Sequence, residues 1–102
     1  MSKFLSQTKN ETIAAVPRLY AVIIHNDDYT PMDFVVFVLT KVFNKNAEDA
    51  EKIMMDVHKA GSGIAGVYTF DIAATKKDAA ERLAQQGGYP LLFTLSDEGA
   101  YT

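Results

Sequence analysis

Residues 18–39, RLYAVIIHNDDYTPMDFVVFVL, decide the fold. From Arg18 to His25, the side chains of Leu19, Ala21, Ile23 and His25 alternate with those of Arg18, Tyr20, Val22 and Ile24, the period of a β-strand. Both sets are largely apolar after Arg18, so the strand is expected to be buried on much of both faces. Asn26-Asp27-Asp28 ends it with a strong turn signal. Thr30 then reads as a helix N-cap, Pro31 as the first helical residue and Asp33 as a favourable charge in the first turn. Phe34, Val35, Val38, Leu39, Val42 and Phe43 repeat with helical spacing until Asn44-Lys45-Asn46 interrupts them.

Working outward, Asn46 is placed to cap a second helix. Its apolar face is Ala50, Ile53, Met54, Val57 and Ala60, and Gly61 and Gly63 stop it. Ile64 to Tyr68 reads as a short strand. Asp71 to Gln86 reads as a third helix with Ile72, Ala79, Ala80 and Leu83 on its apolar side, and Gly87-Gly88 as its stop. Pro90 to Leu95 reads as the last strand. The order is βααβαβ, which predicts an α+β, two-layer sandwich: a three-stranded antiparallel sheet packed by three helices. Residues 1–17 read as a flexible tail ending at Pro17, residues 18–95 as one domain, and residues 96–102 as a polar, frayed end.

The totals agree with one globular domain. The chain has 102 residues, 48% apolar and 23% charged, which is too apolar for a disordered segment. A net charge of −3 argues against nucleic acid as a partner. With no cysteine, disulfides, thiolate metal sites and cysteine nucleophiles are excluded, and the cytosol is favoured. No apolar run approaches the roughly 20 residues of a membrane span, and residues 1–16 lack the pattern of a signal peptide.

The densest polar cluster is Asn26-Asp27-Asp28-Tyr29-Thr30-Pro31-Met32. One reading is an ordinary turn leading into a capped helix. Yet a turn needs one carboxylate, and two adjacent ones repel. Asn26, Asp27 and Asp28 offer several acceptors and no positive charge, which suits an ammonium with three donors. A chain's α-amino group, with a pKa of roughly 7.7–8.0, is mostly protonated in the cytosol. His58, near the end of the second helix, either complements the helix dipole or accepts a hydrogen bond from the same ammonium as a neutral imidazole. Met32, Met54 and Met55 are either core or the wall of an apolar pocket beside that ammonium.

At these residues the chain resembles the ClpS adaptors, recognition components of the bacterial N-end rule pathway. The likeness starts at Asn26-Asp27-Asp28-Tyr29-Thr30-Pro31-Met32-Asp33-Phe34-Val35 and continues through Met54-Met55-Asp56-Val57-His58, Gly66-Val67-Tyr68-Thr69 and Ala74-Thr75-Lys76. It ends at Pro90-Leu91-Leu92-Phe93-Thr94-Leu95 and spans roughly Leu19 to Leu95. The resemblance implies a fold also similar to the C-terminal domain of a ribosomal stalk protein. It implies an adaptor, not an enzyme, that uses no cofactor and no metal. Its ligand would be a peptide or protein whose first residue is Phe, Tyr, Trp or Leu. Asn26, Asp27 and His58 would hold the α-amino group. Asp28, Thr30, Pro31, Met32, Val35, Met54, Val57 and Leu91 would shape the side-chain pocket, with Met32 the gate against β-branched first residues. Asp71 and Lys76 would contact the N-terminal domain of a ClpA-type AAA+ unfoldase, which would also engage residues 1–17. Two departures stand out: Ala65 replaces a frequent Cys, and Asp71 a frequent Glu.

Two other readings are open to the residues alone. His25, Asp27, Asp28 and His58 could form a metal-dependent hydrolase site, although no helical His pair or HExxH run is present. A purely structural or oligomerisation module of stalk-like fold would explain the α+β pattern and leave Asn26, Asp27 and His58 without a role.

Overall fold

Three antiparallel strands carry the molecule, with β1 (Arg18–His25) between β2 (Ser62–Thr69) and β3 (Leu92–Ala100). The computed structural model describes residues 17–100. The expected tail, apart from Pro17, and residues 101–102 lie outside the described residues. Helices α1 (Met32–Lys41), α2 (Ala47–Ala60) and α3 (Phe70–Gly87) complete the βααβαβ order. Strand β1 has the bounds the alternation predicts.

The inner face of β1 presents Val22 and Ile24 to the helices. With Phe93 of β3 and Leu39 and Val38 of α1, they form the largest fully buried side chains. Each such side chain contributes about 1.5–3 kcal/mol by leaving water. The outer face stays open: Leu19, Ile23 and His25 are half-buried, while Ile64, Val67 and Leu92 are exposed. The expectation of burial on both faces therefore fails on this side, because all the helices stack against the other. Ala21 is buried even so, as a small residue between two neighbouring strands.

Other differences have local causes. Helix α1 begins at Met32, with Pro31 as its N-cap, because the Thr30 hydroxyl is drawn to the Asp27 carboxylate and caps nothing. At its end the C-cap Val42 donates its N–H to the Val38 carbonyl at 2.8 Å, and Asn44, left-handed at φ 57, turns the chain so that the Lys45 N–H meets the Leu39 carbonyl at 3.1 Å. Helix α2 starts as expected: the Asn46 side chain accepts the Asp49 N–H at 2.8 Å. In α3 the buried residues are Ala73, Ala80 and Ala84, while Ile72 is exposed and Ala79 and Leu83 are half-buried. Three alanines let that helix lie close on the sheet, and the helix turns accordingly. Strand β3 starts two residues later than Pro90 and runs to Ala100, five residues beyond Leu95. Its extension is held by the ladder to β1 and by Arg18, whose Nε and Nη2 donate to Asp97 Oδ2 at 3.1 and 3.0 Å.

Candidate functional site

The loop between β1 and α1 folds around one carboxylate. Asp27 Oδ1 accepts the N–H groups of Tyr29 at 2.8 Å and Thr30 at 2.7 Å, and Oδ2 accepts the Thr30 hydroxyl at 2.8 Å. This is an Asx-type turn, the reason Asp is favoured here. Partial burial pushes the Asp27 carboxyl up. The bonds from the Thr30 N–H, the Tyr29 N–H and the Thr30 hydroxyl outweigh it and hold the pKa below the usual carboxylate value. Both lone pairs of Oδ1 are used, while Oδ2 keeps one. Asp27 has no ion-pair partner among the described residues.

Helix α2 brings His58 to the same place. His58 is exposed in the last turn of α2, close to Gly61, where the chain turns back into β2. Together Asn26, Asp27, Asp28, Tyr29, Thr30, Pro31, Met32 and His58 line an open cavity of about 390 Å³. That volume falls in the roughly 300–1,000 Å³ range of small-ligand sites. The lining holds two carboxylates, an imidazole and no Lys or Arg, so it attracts cations. Met32 lies at its lip, exposed at the first position of α1.

The structure thus gathers Asn26, Asp27, His58, Asp28, Thr30, Pro31 and Met32 in one place. Val35, Met54, Val57 and Leu91 do not line the open cavity. They are buried in the core, with Val35 one helical turn from Met32 and Met54 one turn before His58. Tyr29 lines the cavity although the sequence reading leaves it out. Among the described residues it is the most exposed of the large apolar side chains, at 79%, and its place in a tight turn, where it cannot reach the core, was the available signal.

The remaining candidates lie elsewhere. Asp71 is exposed in the first turn of α3. Lys76 is half-buried. Its Nζ donates to the Val42 carbonyl at 2.8 Å and to Asn44 Oδ1 at 3.0 Å, and sits 5.5 Å from the centre of the Tyr68 ring. His25 faces away from the cavity, with Nε2 bonded to Thr94 Oγ1 at 2.7 Å. Among the described residues no three His, Asp or Glu side chains come together as a metal cage. No helix of the described residues is long and apolar enough to cross a membrane.

Residues 15–94 match the family model of the ATP-dependent Clp protease adaptor protein ClpS. The chain belongs to the ClpS family. Among its ClpS relatives is the ATP-dependent Clp protease adapter protein ClpS of Clostridium acetobutylicum, 56% identical over 81 residues, covering 79% of this chain and 80% of that one. The Wolinella succinogenes ClpS adapter is 44% identical over 96 residues, 94% of each chain. The structure of Agrobacterium tumefaciens ClpS2 bound to L-phenylalaninamide superposes with a TM-score of 0.77 at 43% identity. It covers 80% of this chain and 99% of that one. The ClpS match spans all three helices and the whole sheet but the end of β3.

Proposed function

We propose that the chain is an N-end rule adaptor. It binds the free α-amino group and bulky hydrophobic first residue of a protein, and hands that protein to a Clp AAA+ unfoldase and its protease in the cytoplasm. The observation that carries this reading is the cation-attracting cavity, with the unpaired Asp27 carboxylate, Asn26 and His58 beside the apolar lip of Met32. Asn26, the free lone pair of Asp27 Oδ2 and a neutral His58 would share the three N–H bonds of the ammonium. The first side chain would pass Met32 and reach toward Val35, Met54, Val57 and Leu91, which are buried in the core. The ligand of Agrobacterium tumefaciens ClpS2, L-phenylalaninamide, has this chemistry: an aromatic side chain, a free amine and an uncharged carboxyl end.

Magnitudes support the need for both parts. Burying 150–250 Å² of an aromatic side chain at about 25 cal/mol per Å² gives roughly 4–6 kcal/mol before association costs. Each charge-assisted hydrogen bond to the ammonium adds roughly 1.5–3 kcal/mol. Together they can reach micromolar binding, near −8 kcal/mol by the usual conversion, after the association cost that neither term alone comfortably covers.

The chain itself supplies no catalysis in this reading. It raises the effective concentration of substrate at the unfoldase. A ClpA-type N-terminal domain would dock on the exposed Asp71 side of α3. The engagement of Lys76 with α1 means that a partner there would share, or compete for, an ammonium already in use. Residues 1–17 would be the segment that the unfoldase engages.

The test is fluorescence anisotropy with labelled peptides that begin with Phe, N-acetyl-Phe or Ser. Saturable micromolar binding of the first alone is the expected result. Equal binding of all three, or of none, would refute the reading.

A further inference from the structure

The two halves of the amine site come from segments far apart in the chain, and one backbone bond joins them. Asn26 and Asp27 follow β1 directly, whereas His58 sits in the last turn of α2. A single residue, Gly61, connects α2 to β2, in the left-handed region at φ 91. Its N–H donates to the Val57 carbonyl at 3.0 Å and closes α2, while its carbonyl accepts the Asn26 N–H at 2.9 Å. That second bond extends the β1–β2 ladder one step past His25 and Ser62, to the first residue of the acidic loop.

We infer that Gly61 is a positioning residue for α-amine recognition. Its left-handed turn clamps Asn26 and Asp27 against the end of the helix that carries His58. The inference rests on the adaptor reading above, because it matters only if those three side chains act on one ammonium. A Cβ at Gly61 would meet nothing within 4 Å, so alanine there introduces no clash and acts through φ alone. Alanine resists the left-handed region, which asparagine tolerates. When the backbone relaxes, the Gly61 carbonyl swings off the Asn26 N–H and the two halves of the site separate. Gly99 is the natural control. It too is left-handed, at φ 83, meets nothing within 4 Å, and lies opposite Leu19 at the other end of β1.

The experiment titrates the full-length protein and its Gly61→Ala, Gly61→Asn and Gly99→Ala variants with a labelled peptide beginning with Phe, and records thermal unfolding of each. Binding must restore the left-handed turn, so Gly61→Ala should lose about 5- to 30-fold in affinity, the equivalent of the strain alanine carries there. Gly61→Asn should lose less than Gly61→Ala, because asparagine adopts left-handed backbone more readily than alanine. Gly99→Ala should lower the unfolding midpoint yet bind normally. If Gly61→Ala binds as wild type does, or loses no more affinity than Gly99→Ala, the inference fails and the adaptor reading stands. If wild type does not bind, both fail. A measurement on the unmutated protein needs no variant to fold: the Asn26 amide should be protected from hydrogen exchange and slow further when peptide is added. A freely exchanging Asn26 amide would overturn the clamp.

Discussion

Asp27 and Asp97 build the same local turn and differ in what faces the carboxylate. Each accepts the backbone N–H two residues ahead at 2.8 Å, from Tyr29 in one case and Gly99 in the other. Each is held below the usual carboxylate pKa. At Asp97 the Gly99 N–H is the leading cause, followed by the bond from Arg18; at Asp27 the bonds of its turn overcome partial burial. Asp97 is then neutralised by the molecule itself, through Arg18. Asp27 meets only neutral donors. A carboxylate matched from within is architecture, because it strengthens the end of the β1–β3 ladder. A carboxylate fixed in place but left without a cation is a receptor for someone else's.

The sharpest way to break this contrast is to remove each charge while keeping each turn. Asp27→Asn preserves Oδ1 for the Tyr29 and Thr30 N–H groups, and should weaken binding of a Phe-initiated peptide by about tenfold or more, the worth of one charge-assisted bond. Asp97→Asn should leave peptide affinity unchanged. Calorimetric titration of both variants decides it, and equal effects would erase the distinction. Asp27→Ala is the poorer test, because it also deletes the acceptor for three turn bonds.

A smaller effect is expected at Met32, on the apolar side of the cavity. Met32→Ala should relax discrimination against peptides that begin with Ile or Val by about tenfold or less, with little change for Phe. Competition binding would show it, and unchanged selectivity would reduce Met32 to an exposed helix start.

The smallest effect concerns acid stability. The pKa of Asp27 is depressed in the folded state, so its ionised form contributes stability. That contribution is fully present above the ordinary carboxylate value of about 3.9 and is lost as pH falls through the lower folded value. Thermal midpoints of wild type and Asp27→Asn, measured from pH 5 downward, should therefore converge only below about pH 4. A gap that persists under more acid conditions would mean that the turn bonds do not depend on the charge.

Much of this was legible because it is local. Strand alternation fixed β1 to the residue, Asn46 announced the start of α2, and Gly61 and Gly88 marked the ends of α2 and α3. The acidic loop and His58 were recognisable as a pair of candidates, since charge without a counter-charge shows in a sequence. What escaped depends on contacts across the chain. Ser96 to Ala100 looks like a polar end, and becomes strand because β1 offers it a ladder and Arg18 offers Asp97 a cation. Thr30 looks like a cap, and its hydroxyl is claimed by Asp27. The tie between Gly61 and Asn26 and the engagement of Lys76 with the end of α1 join residues that no period in the sequence relates.

Lys76 also has a chemical signature. Lys41, Lys52 and Lys59 are exposed, whereas the Lys76 amine is held by a carbonyl, an amide oxygen and a ring face. An acylating reagent needs the nitrogen lone pair, which this amine can present only by giving up those contacts. Under mild labelling Lys76 should therefore be modified after those three. Once acetylated, it can no longer return its charge to the Val42 carbonyl and Asn44, so modification at this one lysine would leave the turn after α1 without its ammonium.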